Sequence, residues 1–266
     1  MNENILEKGE HMNKLNELSS LASSNIGFIF LIVTIVAVMI LTAYGAESII
    51  SKKCNVRRQH DNPNIKRMII IAMLSAIAVV LMLFEFPIGF LPGFYKLDFS
   101  ELPVIIGAFA LGPVAGLTIE LIKITLSLVI HGTSSVFVGE FANFLIGSSF
   151  IIPASFLYLL RRNKKSAIVG LSIGTLAATI VGGVLNAFVL LPKYAQLMGP
   201  DMQLNYDQTM SYLISEGTKV NSSIQGLSSF ILFGVTPFNL IKYGMVSIIT
   251  VVIYKRISRI FSVVKQ

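Results

Sequence analysis

Apolar residues in this chain come in long unbroken runs separated by short polar links, with no sustained alternation. The runs lie at 26–50, 67–90, 102–111, 113–131, 136–160, 166–191 and 225–254. A helix needs about 20 residues to cross the hydrocarbon core of a bilayer, and six of the seven runs meet or approach that length. Residues 102–111 are too few to cross alone, and the Gly112-Pro113 pair makes a tight break before the next helix. The pattern predicts an all-α membrane protein: a six-helix bundle over about 67–254, preceded by one additional transmembrane helix at 26–50. A polar tail (1–25), a basic linker (51–66) and a basic tail (255–266) complete the predicted organisation, and a further polar stretch at 193–223 reads as a loop.

Composition supports this reading. Of 266 residues, 54% are hydrophobic and 13% charged, with a mean hydropathy of +0.75, where a soluble domain carries about a quarter charged residues. The net charge of +7 is concentrated beside the apolar runs. Lys52, Lys53, Arg57, Arg58, Lys66 and Arg67 lie in 52–67, at the start of the second run. Arg161, Arg162, Lys164 and Lys165 separate the fifth from the sixth, and Lys255, Arg256, Arg259 and Lys265 follow the last. Clusters of this kind are topology signals rather than a nucleic-acid footprint. Placing 52–67 in the cytoplasm puts every basic cluster inside, the C-terminus inside and the N-terminus outside, where residues 1–25 hold four Glu against two Lys. Residues 26–50 do not read as a cleaved signal peptide, because the preceding segment is acidic and the run is long for that role. Cys54 is the sole cysteine, so no intrachain disulfide forms, and no Gly-x-x-x-x-Gly-Lys-Ser/Thr loop is present to hold ATP phosphates.

Ionisable groups inside a spanning helix cost about 2.5–3.5 kcal/mol on insertion scales, so each needs an explanation. Asn239 and Lys242, three apart after Pro237, share a helix face. They read either as an amide and an ammonium holding a polar solute, or as a lysine neutralised by Glu120 or Glu140. Glu120 and Lys123 are also three apart and read mainly as a self-paired rung. Glu140 and Asn143 line the mouth of a site or serve the start of the helix at 136–160, where a carboxylate suits the dipole. Asn186 on its own reads as an interhelical hydrogen bond. In the segment Leu91-Pro92-Gly93-Phe94-Tyr95-Lys96-Leu97-Asp98-Phe99-Ser100-Glu101, the Asp98-x-x-Glu101 spacing predicts a carboxylate variant of the capping box. The apolar remainder suits a lid over a planar ligand. Ala72 and Ala76 set small residues four apart, a spacing that admits close helix approach within the bundle or from a partner.

Four stretches together resemble the substrate-binding S components of energy-coupling factor (ECF) transporters, and among them the riboflavin-binding members. They are Lys96-Leu97-Asp98-Phe99-Ser100-Glu101-Leu102-Pro103, Phe109-Ala110-Leu111-Gly112-Pro113-Val114-Ala115-Gly116, Leu185-Asn186-Ala187-Phe188-Val189-Leu190-Leu191-Pro192, and Pro237-Phe238-Asn239-Leu240-Ile241-Lys242. The resemblance covers about 66–260 and leaves the helix at 26–50 and its acidic tail outside it. It implies a six-helix S-component fold with riboflavin as transported ligand and no further cofactor. Asn186, Asn239 and Lys242 match polar pocket positions; Leu97, Glu140 and Asn143 complete the expected ligand-binding set, under a lid of Phe94, Tyr95, Lys96 and Phe99. It further implies that Ala72 and Ala76 dock on a transmembrane T component, with two cytoplasmic ATPase subunits supplying energy to import across the bacterial cell membrane.

The isoalloxazine ring suits such a pocket, being planar and apolar at one edge and hydrogen-bonding at the other. Two asparagines each donate and accept, and a lysine only donates. Alternatives are an S component for pantothenate, folate or thiamine, or an ion-coupled carrier using Glu120 or Glu140. No enzyme is expected, since His11, His60 and His131 fall in separate loops on different sides.

Overall fold

The computed structural model describes residues 26–53, 65–93, 95–132, 137–201 and 204–263. Its contacts divide the chain after Met39. Residues 26–39 form a helical stretch of their own, and everything from Ile40 onward belongs to the second unit. The described elements are α1 (Ile26–Lys53), α2 (Ile65–Leu83), a hairpin of β1 (Phe86–Pro87) and β2 (Lys96–Leu97), α3 (Glu101–Leu111), α4 (Pro113–His131) and α5 (Val138–Arg161). After these come α6 (Lys164–Leu185), α7 (Leu191–Asp201), α8 (Tyr206–Val220), α9 (Leu227–Phe230) and α10 (Thr236–Val263). π-Helical turns at Asn186–Leu190 and Ile231–Val235 join α6 to α7 and α9 to α10.

Six stretches among the described residues are long and apolar enough to cross a membrane, and α3 is the short apolar helix between two of them. Local chemistry sets the boundaries. Gly112 stands at φ +110°, a conformation that favours glycine, and Pro113 occupies the first position of α4, where its missing N–H is no loss. Asn163 caps α6 by accepting a hydrogen bond from the Ser166 N–H at 2.8 Å. Gly170 and Gly174 let α6 approach α5 closely: a Cβ on either would lie 2.5–2.6 Å from the carbonyl oxygens of Ala154 and Phe150. Thr175 and Ser247 share a hydrogen bond of 3.0 Å across α6 and α10.

Two predicted boundaries are corrected. The run at 67–90 is helical only to Leu83. Residues 84–100 leave the helix at Phe84-Glu85-Phe86-Pro87 and fold into the hairpin, with Phe86 opposite Leu97 and Pro87 opposite Lys96. The stretch at 193–223, read as a polar loop, contains α8 and most of α7. Helix α8 opens with a reciprocal cap between Asn205 and Gln208 and buries Thr209, Leu213 and Gly217, one residue every turn.

Within the second unit, α1 contributes Ala43 and Ile50, both buried, and Glu47. The Glu47 carboxylate lies 3.6 Å from the Arg67 guanidinium and against Gly112 at the start of α4. On α2, Ala72 and Ala76 are exposed while Ser75, Ala78 and Val79 are buried. Packing inside the described bundle therefore does not use the Ala72/Ala76 face.

Candidate functional site

At the end of the bundle that carries the 84–100 segment, apolar side chains from four regions meet. Leu91 and Leu97 of the loop pack with Leu191 and Ala195 of α7, Leu213 of α8, and Ile224, Phe230, Val235 and Phe238 leading into α10. Polar residues singled out above are shielded from solvent as well. Asn186, Asn239 and Lys242 are all buried, as are Leu97 and Asp98 of the loop.

Lys242 pairs with neither Glu120 nor Glu140. Its Nζ lies 2.8 Å from Oδ2 of Asp98, 144 residues earlier, and both side chains are shielded from solvent. The other Asp98 oxygen accepts the Ser100 N–H at 2.8 Å. Burial pushes this carboxyl up, but the ammoniums of Lys242 and Lys123 and the hydrogen bonds from Lys242 and Ser100 outweigh it. The pKa is lowered to about 2.

The capping box expected from Asp98 and Glu101 does not form. Ser100 stands at the head of α3 without a side-chain cap, and Glu101 turns inward to Lys123 at 2.9 Å. Lys123 also meets Glu120 at 2.6 Å, as the spacing of three predicted. A carboxylate this far from water gains more from an ammonium than from a backbone N–H, which decides the choice. Helix α5 leaves room for the cluster at Gly147, where a Cβ would lie 2.8 Å from Oε1 of Glu120.

The two asparagines converge on Gly182. Asn186, the first residue of one π-turn, donates from Nδ2 to the Gly182 carbonyl at 2.8 Å. Asn239 packs so closely that a Cβ on Gly182 would lie 2.6 Å from its Nδ2, which donates to the Val235 carbonyl at the end of the second π-turn. Each π-turn inserts an extra residue into the helical repeat and so rotates the helix beyond it, and such turns are frequent at functional sites. Gly182 carries no predicted role; the Gly182-Gly183 pair within an apolar run is the signal that could have found it.

Among the described lid residues, Tyr95 reaches the asparagines: its phenol donates to Oδ1 of Asn186. Its ring meets Phe238 edge-on at 5.4 Å and Phe230 at 6.1 Å. Desolvation, and secondarily Tyr194, hold this phenol well above its ordinary pKa, so it stays a donor. Lys96 is exposed and pairs with Glu85, while Phe99 packs on Phe86 at 6.3 Å. Phe94 lies outside the described residues. Glu140 and Asn143 are half-buried in the first two turns of α5, and the contacts above do not include them. Phe230, Phe238 and Asp98 are the site residues that local spacing missed.

The family described as ECF transporter, substrate-specific component, matches residues 66–254. Riboflavin transporter RibU of Staphylococcus aureus is 38% identical over 204 residues, covering 77% of this chain and 96% of its own. Riboflavin transporter FmnP of Bacillus subtilis is 35% identical over 191 residues, covering 71% and 90%. A solved S component of a bacterial ECF transporter superposes with a TM-score of 0.55 at 37% identity, over 73% of this chain and 96% of that one. This chain is thus a multi-pass membrane protein of transport and not an enzyme. It belongs to the substrate-specific S components of ECF transporters.

Proposed function

We propose that this chain binds riboflavin beneath the 84–100 loop and hands it to a T component and two ATPase subunits for import. The observation that carries this reading is that Asn186 and Asn239 meet at Gly182, with Lys242 one turn beyond Asn239 and held by Asp98 of the loop, close in the chain to the apolar cluster of Leu97, Phe230 and Phe238. Two amides and an ammonium suit the hydrogen-bonding edge of isoalloxazine, and the aromatic and aliphatic layer suits its benzenoid edge. Leu97, Glu140 and Asn143 complete the ligand-binding set, with Phe94, Tyr95, Lys96 and Phe99 as the lid. Relatives named as riboflavin transporters support the ligand.

The basic clusters favour an orientation with the N-terminus outside and the C-terminus in the cytoplasm, which places the loop at the outer face. The exposed Ala72 and Ala76 offer a narrow strip to a T component. In this organisation 67–254 forms the substrate-binding domain, 26–50 is an added spanning helix, and 1–25, 51–66 and 255–266 are the polar tail, linker and basic tail. The test is an absorbance spectrum of the detergent-purified chain, then a riboflavin fluorescence titration. Co-purified flavin or saturable quenching is expected. A colourless protein that leaves flavin fluorescence unchanged would sink the riboflavin assignment and direct the search to other vitamins.

A further inference from the structure

The polar side chains of the site have partners within the chain itself. Lys242 is held by Asp98 of the loop, and Asn186 accepts the Tyr95 phenol while donating to Gly182. Tyr95 presents a planar ring between Phe230 and Phe238, on the apolar cluster, with its one polar atom on an asparagine. That is the same chemistry demanded of an aromatic heterocycle with a hydrogen-bonding edge. A buried amide oxygen without a donor is costly, so an internal donor there stabilises the seated loop. We propose that Tyr95 is an internal surrogate ligand: its phenol seats the loop on Asn186, and a heterocycle that uses the same amide oxygen must displace that hydroxyl.

The proposal rests on the riboflavin reading for the identity of the competitor, but the seat itself is independent of any ligand. It makes Tyr95 a lid residue whose hydroxyl works against binding, whereas a hydroxyl that touches ligand works for it. Its hydroxyl sets a threshold: a solute that packs its ring but offers Asn186 no hydrogen bond loses what the tyrosine supplied. Selectivity for a polar-edged ring then comes in part from the residue being displaced.

Tyr95→Phe in the full chain separates the possibilities, since it keeps the ring and removes only the donor. In the ligand-free protein, amide hydrogen exchange across 84–100 is expected to quicken by about 2- to 10-fold, the range of one net hydrogen bond. Stopped-flow quenching of riboflavin fluorescence is expected to show faster association and a Kd tightened by a similar factor. Unchanged exchange overturns the surrogate, because the hydroxyl then holds nothing. Weaker riboflavin binding overturns it too, since Tyr95 would then be a ligand contact. A wild-type chain that does not quench riboflavin overturns the ligand reading instead, and the exchange result still decides whether Tyr95 seats the loop.

Discussion

Lys123 and Lys242 are two ammoniums buried in apolar helices, each facing carboxylate, yet their surroundings differ in kind. Lys123 touches Glu101 of α3 and Glu120 of its own helix, so all three charges sit on rigid helices with almost no exposure. Among the described residues, Oε2 of Glu101 and Oε1 of Glu120 have no hydrogen-bond partner, and the lysine is the counter-charge both acids share. Lys242 faces one carboxylate, that of Asp98, at the end of a hairpin loop, with Asn239 three residues before it on the same helix. A charge held between helices cannot be released without opening the bundle. A charge held by a loop can exchange its partner for a solute. Burial and pairing are thus common to both lysines; under the proposed function, what distinguishes Lys242 is that its counter-charge sits on a loop and not on a helix.

The sharpest way to break this comparison is Lys123→Met. It leaves Glu101 and Glu120 buried without their counter-charge, a change that costs about 3–5 kcal/mol in comparable buried pairs. Loss of monodisperse protein on size exclusion is expected, with partial recovery when Glu101→Gln and Glu120→Gln are added. A single variant that unfolds at the wild-type temperature would show that the cluster carries no structural weight.

Lys242→Ala should act on binding instead. Asp98 can turn with its loop toward water, so the fold survives while riboflavin affinity falls by about 1–3 kcal/mol, roughly 5- to 150-fold. Asn239→Ala is expected to fall in the same range. Parallel titration and thermal unfolding check both; wild-type affinity in the two variants would remove them from the site.

The difference between the lysines was only partly legible in the sequence. Spanning helices were readable because lipid demands about 20 apolar residues in a row, whatever the tertiary structure. The Glu120–Lys123 pair was readable because spacing of three fixes it within one helix. Asp98 and Lys242, separated by 144 residues, have no local signature, and the Asp98-x-x-Glu101 pattern pointed to a cap that burial then overruled. Helix α8 was hidden because its buried face is only Thr209, Leu213 and Gly217 in a polar segment. The π-turns at Asn186–Leu190 and Ile231–Val235 have no local signature in the sequence, and Gly182, against which Asn239 packs, is visible only as a glycine in an apolar run.

The smallest expected effect is that of mild acid, and its sign is set by Asp98. Its carboxyl is lowered from 3.8 to about 2, so the stability its pairing contributes is fully present above 3.8 and is lost as pH falls from there toward 2. Between about pH 8 and 5 the Asp98 carboxylate therefore stays ionised, and loop exchange and riboflavin affinity should not change through it. An affinity that drops steeply between about pH 6 and 5 would mean that Asp98 titrates near its partner's release. The loop would then be a pH-sensitive gate, and the contrast between a loop-held and a helix-held lysine would need a second titrating group to explain it.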